Sequence, residues 1–186
     1  DAPFTQLGHE VLRACEEQGI IVDCSHINER SALAILTAAK KPVVFSHSNV
    51  RTLNDNFRNI TDDMIVACAA TDGVIGVTGI SNFMPAQQAD ADAMLKVIDY
   101  LADRVGSRHI GLGLDYVYDV ELDELPAGCD PNYWWPSKYG YGEDFYKSST
   151  FVAPEAVAGI KEGLKSRGYT GEAIAGIMGG NFFRVA

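Results

Sequence analysis

The sequence predicts an α/β chain of parallel βα repeats, and three observations carry that expectation. Short runs rich in Val and Ile, such as Ile20-Ile21-Val22 and Pro42-Val43-Val44-Phe45, are bounded by Gly or Pro and read as buried strands. Longer stretches with apolar positions at helical spacing lie between them. The order strand, helix, strand makes a parallel βαβ unit, whose crossover is almost always right-handed.

Residues 5–18 place Leu7, Val11, Leu12 and Cys15 on a helical stripe, with Thr5 as N-cap and Gly19 as the stop. The first strand, Ile20-Ile21-Val22, leads through Asp23-Cys24-Ser25 to His26. Residues 29–39 carry Leu33, Ile35 and Leu36 among alanines, enough for a helix capped by Asn28. The second strand leads through Ser46 to His47, and a polar loop over residues 48–59 holds Arg51 and then Phe57-Arg58-Asn59. Thr61-Asp62-Asp63 starts a third helix, an N-cap followed by acids that suit the positive end of the helix dipole. A third strand at 73–78, a helix at 89–104 and a fourth strand at 109–114 follow, with Asp115 at the last strand's carboxyl end. Residues 116–151 form an irregular aromatic loop, and residues 152–186 hold two closing helices, at 154–167 and 170–178, stopped by Gly168 and by Gly179-Gly180.

Composition narrows the function classes. A chain of 186 residues, 47% hydrophobic and 22% charged, can form one domain with a core. A net charge of -10 with 15 scattered basic residues argues against nucleic acid as partner, because phosphate binding needs clustered Lys and Arg. Cys15, Cys24, Cys68 and Cys129 fit no C-x-x-C pattern, which points to free thiols and favours a cytoplasmic setting. The opening DAPFTQLG lacks a basic, then apolar leader, and no apolar run reaches the ~18 residues that span a bilayer. Gly111-Leu112-Gly113-Leu114-Asp115 lacks the third glycine and following helix of a dinucleotide loop.

Neighbouring parallel strands put His26 and His47 side by side at the carboxyl rim, where α/β folds bind ligands. One such histidine is ordinarily a hydrogen-bonded packing residue; two at equivalent places point to a metal, since imidazole is the commonest side-chain ligand. Asp115 joins them as a third ligand or general base, or else closes a turn. The aromatic loop follows a strand and so lies over the same rim, as a substrate cover or as a packing or dimer contact.

The ordered motifs DCSHINERSALAIL, PVVFSHSN, FRNITDDMI, DGVIGV, HIGLGLDYVYD and RGYTGEAIAGIMGGNFFRV resemble the carboxyl-terminal half of the renal or membrane dipeptidases, peptidase family M19. The resemblance implies the second half of an amidohydrolase-like (β/α)8 TIM barrel with two zinc ions at its rim. It implies that His26 and His47 bind one zinc, that Asp115 touches the other metal and shuttles the proton, and that Arg58 grips the free carboxylate of a dipeptide substrate. A planar guanidinium suits that task, meeting a carboxylate with two charge-assisted bonds.

The chain also departs from the family. A (β/α)8 barrel takes about 250 residues, and only four strands are legible. The family's first-strand His-x-Asp pair, bridging glutamate and transition-state histidine have no counterpart among His9 and His109 or elsewhere. Tyr116-Val117-Tyr118 departs from the small, acidic follow-on of mammalian members, which bears on substrate range. The expected partner is therefore a missing amino-terminal half, or a second copy in a homo-oligomer, that covers the open strand edges. Two other readings stay open: a deacylase or lactonase on a similar barrel, and a non-catalytic half-barrel binding module.

Overall fold

A computed structural model describes residues 4–117, 128–139, 141 and 149–186. Its centre is a four-stranded sheet in the order β1-β2-β3-β4, with β1 at Val22–Asp23, β2 at Val43–Ser48, β3 at Val74–Val77 and β4 at Ile110–Leu112. Every pairing is parallel. The helices α1 (Gln6–Glu17), α2 (Glu29–Ala38), α3 (Asp62–Ala70) and α4 (Ala91–Val105) precede one strand each, as βα repeats of a half (β/α)8 barrel require.

Local chemistry starts these helices where the sequence indicates. The Thr5, Asn28 and Thr61 side chains accept hydrogen bonds from the amides of Gly8, Ser31 and Met64. The fourth helix is capped by Asp90, which accepts from the Ala93 amide, so it begins two residues later than its apolar pattern suggests.

The two sheet faces differ. Phe45, Ile75 and Ile110 sit side by side in register, fully buried against Met64, Ile65 and Cys68 of α3 and Met94, Ile98 and Leu101 of α4. The opposite face, toward the barrel interior, carries Val44, Val74, Gly76 and Gly111. Beyond the sheet come α5 (Pro131–Trp134), α6 (Val157–Ser166) and α7 (Gly171–Ala175).

Several expectations need correction. The first strand is only Val22–Asp23, and Ile20 and Ile21 are exposed because they lie on the sheet's outer edge. Leu7 and Val11 of α1 are exposed on the same flank, so the helical stripe there is real but uncovered. His47 lies inside β2 rather than after it, since the strand runs on to Ser48 through a register irregularity between Phe45 and Ser48. His109 precedes β4 in a short 3-10 turn, its Nδ1 2.9 Å from the Gly73 carbonyl.

The chain also forms a helix past its last glycines. Gly179, at φ 145°, redirects the backbone, and α8 (Asn181–Val185) turns back under the sheet. Asn181 donates to the Ser107 and Ile110 carbonyls, and Arg184 to those of Asp72 and Arg108, all at the amino ends of β3 and β4. The Phe182 ring rests where a side chain on Gly111 would otherwise stand and also borders Gly76, whose added Cβ would first meet the Ser46 carbonyl. Gly111 therefore has a packing reason.

Candidate active site

All four residues singled out for chemistry stand at the carboxyl mouth of the sheet. His26 follows β1 on a tight turn, His47 projects from the irregular end of β2, Asp115 follows β4, and Arg58 comes from the loop after β2. His26 and Asp115 both adopt left-handed backbone, φ 66° and 53°, which turns each side chain off the line of its strand.

The geometry is close. The two Nε2 atoms are 2.8 Å apart, Asp115 Oδ2 is 3.9 Å from His47 Nε2, and Arg58 Nη2 is 3.2 Å from His26 Nε2. Burial, then the charges of Arg58 and His47, hold the His26 imidazole below its ordinary pKa, which favours the neutral, ligating form. Among the described residues no cluster of three or more His, Cys, Asp or Glu could hold an ion; the chain offers two converging imidazoles with a carboxylate just beyond.

The loop carrying Arg58 is pinned by polar residues that sequence reasoning left without a role. Arg51 donates to the Asn59 and Phe57 carbonyls and to Glu29 Oε2 at 3.0 Å, tying the loop to the first turn of α2. Asn54 donates to the carbonyls of Asn82 and Met84, and Asn59 to those of Asn54 and Phe83. Burial lowers the Arg58 pKa, opposed by Tyr141 and Asp115, and the guanidinium lies 5.5 Å over the Phe83 ring.

A second unassigned set lies behind the histidines. Asp23 accepts hydrogen bonds from the amides of Ser25 and Ser46 and, at 2.5 Å, from the Ser46 hydroxyl, which is 2.7 Å from His47 Nδ1. A signal for it exists in the chain, since each histidine is preceded by serine and Asp23 stands two residues before the first serine. What sequence cannot supply is that residues 23 positions apart meet across two strands.

Two cavities meet at Arg58. One, of about 720 Å³, is lined by polar groups including Asn28, Glu29 and Arg51; the other, of about 310 Å³, by Ile80, Phe83, Val117, Trp135 and Phe151. Of the aromatic loop, Tyr116 packs edge-on against Phe151 and Tyr141 against Phe57, whereas Tyr118, Phe145 and Tyr146 lie outside the described residues. The loop's return is fixed where Phe151 bridges Ile80 and the Val152 amide donates to Gly79.

Comparison with known proteins places this geometry in a lineage. The Dipeptidase aclJ of Aspergillus oryzae is 27% identical over 181 residues, which cover 96% of this chain and 37% of that one. An uncharacterized dipeptidase of Schizosaccharomyces pombe is 34% identical over 130 residues, 66% of this chain and 30% of the relative. Among solved structures, an amidohydrolase from Pseudomonas aeruginosa superposes with a TM-score of 0.79 at 24% identity, over all of this chain and 57% of that one. A metallopeptidase from Rhodobacter sphaeroides, liganded with a phosphinate mimic of the dipeptide L-Ala-D-Ala, gives 0.71 at 20% identity, over all of this chain and 47% of that one. The chain thus spans about a third of the curated relatives' length and about half of the solved structures'. The sequence profile of the membrane dipeptidases, peptidase family M19, matches residues 1–128, and the chain belongs to that family.

Proposed function

We propose that this chain is the carboxyl-terminal half of a metal-dependent dipeptidase, in which His26 and His47 hold a zinc ion, Asp115 handles the proton and Arg58 receives the substrate's free carboxylate. The observation that carries this reading is the convergence of two imidazole nitrogens at 2.8 Å beside a carboxylate and a desolvated guanidinium, in a member of the M19 family. Two neutral imidazoles and a nearby carboxylate are the donor chemistry zinc favours, and a catalytic site would draw further ligands from the rest of the barrel. A metal held by His26 and His47 would supply Lewis acidity and lower the pKa of a nearby water.

The chain's own residues do the remaining work. Arg58 meets a terminal carboxylate with two parallel N–H bonds, which fixes the register of a substrate one peptide bond long. Asp115 Oδ2, exposed at the rim, takes the proton of the attacking water and passes it to the leaving amine. The 310 Å³ apolar cavity beside Arg58 accepts a substrate side chain, with Val117, Trp135 and Phe151 in its lining. The dipeptide mimic held by the Rhodobacter protein of the same fold supports this substrate class.

The test joins the chain to an amino-terminal half bearing the family's remaining ligands and assays dipeptide hydrolysis with and without chelator. Turnover that chelator removes and zinc restores is expected. Hydrolysis of acylated amino acids or lactones with dipeptides ignored would overturn the substrate assignment, and a completed barrel that binds no metal would leave a non-catalytic module.

A further inference from the structure

We infer that Asp23 and Ser46 are positioning residues that lock His47 as its Nδ1–H tautomer and so aim the Nε2 lone pair into the carboxyl mouth. The inference rests on the metal-site reading above for its purpose, but its geometry is independent of that reading.

A proton inventory carries it. Asp23 is an acceptor: its carboxylate takes hydrogen bonds from the Ser25 and Ser46 amides through Oδ1 and stands 2.5 Å from Ser46 Oγ through Oδ2. Burial alone would raise this carboxyl, but the bonds from Ser46 and Ser25 outweigh it and hold its pKa below the usual value. A serine hydroxyl has one proton, and here it goes to Asp23. Ser46 Oγ is then left with lone pairs only, and it faces His47 Nδ1 at 2.7 Å and Ser25 Oγ at 3.3 Å. Both neighbours must donate to it, so the His47 proton sits on Nδ1. The Ser25 hydroxyl gives its proton to Ser46 and accepts the His47 amide at 3.2 Å, which completes the count.

The same count applies to His26. Guanidinium nitrogens only donate, so Arg58 Nη2 at 3.2 Å makes His26 Nε2 an acceptor. Two Nε2 lone pairs then face each other across 2.8 Å, an arrangement that repels unless a cation sits where both can reach it. Asp23 also joins the strands, since one carboxylate bonds the turn before His26 and the strand end before His47. It sets the spacing of the two rings as well as the tautomer of one. This is the outer support that metal-binding histidines characteristically have.

The test is long-range proton–nitrogen NMR of the 186-residue chain with labelled histidines at pH 8, above histidine's ordinary pKa of about 6.5. His47 is expected as Nδ1–H in the native chain and to shift toward the Nε2–H form in Ser46→Ala and Asp23→Asn, with Ser46→Thr restoring it. His109, whose Nδ1 is held by the Gly73 carbonyl, should not change in any variant and reports an intact fold. A native His47 protonated on Nε2, or a tautomer indifferent to both substitutions while His109 is unchanged, would overturn the inference. Zinc titration of the same variants in the barrel completed with an amino-terminal half provides a second readout: the two disruptive variants should bind about 10- to 100-fold more weakly than the unsubstituted barrel, the range for lost outer support. If the barrel completed with an amino-terminal half takes no zinc while the native chain shows the Nδ1–H form, the metal reading fails and the tether stands. Zinc binding with an Nε2–H His47 would overturn the tether and leave the metal reading standing.

Discussion

At the amino ends of β3 and β4 the chain closes on itself: Phe182 lies against the glycine-bearing face of the sheet, and Asn181 and Arg184 satisfy four backbone carbonyls. At the carboxyl ends the sheet leads into His47 and into His26, Arg58 and Asp115, which line two cavities. One mouth uses polar groups to complete backbone hydrogen bonds, which is a stabilising use. The other turns polar groups on one another and leaves donors and acceptors aimed at open space. The contrast teaches where substitutions should cost stability and where they should cost chemistry.

The largest separation is expected from His47→Ala in the completed barrel, which should lower dipeptide turnover by more than about a hundredfold, beyond the loss typical of merely supporting residues. The urea unfolding free energy of the same variant should fall by no more than about 1 kcal/mol, the size of a hydrogen bond such as the one the ring makes to Ser46. A collapse in stability instead would make the carboxyl mouth as structural as the amino one.

Next in size, Phe182→Ala should cost about 3 kcal/mol of unfolding free energy, the low end for phenylalanine truncation. Its neighbour Phe183, 86% exposed, should stay within about 0.5 kcal/mol when changed to alanine. Gly111→Ala presses a new methyl into the Phe182 ring and should cost about 2 kcal/mol by overpacking. Equal effects at 182 and 183 would mean that the tail does not seal the sheet.

The smallest effect concerns acid. Asp72 receives side-chain bonds from Arg108 and the charge of Arg184, which hold its carboxyl below the ordinary value. A depressed carboxyl adds stability above its unfolded pKa of about 3.9 and loses it as pH falls through the lower folded value. The native chain should therefore lose stability on acidification in that window more steeply than Asp72→Asn, which keeps a residue tolerant of the left-handed backbone there. Identical acid limbs in pH-dependent unfolding would remove Asp72 from the amino mouth's account.

The legible parts of the fold are those written locally. Thr5, Asn28 and Thr61 cap helices because a short polar side chain can reach the amide three residues on. The Val-rich runs of β2 and β3 stand out because both sheet faces are covered, so no alternation interrupts them. Edge and centre look alike in such runs, so the exposure of Ile20 and Ile21 is not readable. Gly179-Gly180 reads as a stop, but here it is a bend, and the helix beyond it matters through contacts with residues 71 and 74 positions earlier. At the site, His26 and His47 are readable from the topology and Arg58 through the family resemblance. Asp23 and Ser46 gain their meaning only from contact across strands.

The left-handed backbone at His26 and Asp115 has one more consequence. Residues with a Cβ enter that conformation at a cost of roughly 1–2 kcal/mol, a cost glycine does not bear. Glycine at either position would relax the turn while deleting the imidazole or the carboxylate. Selection for heat tolerance alone would thus favour glycine at both positions.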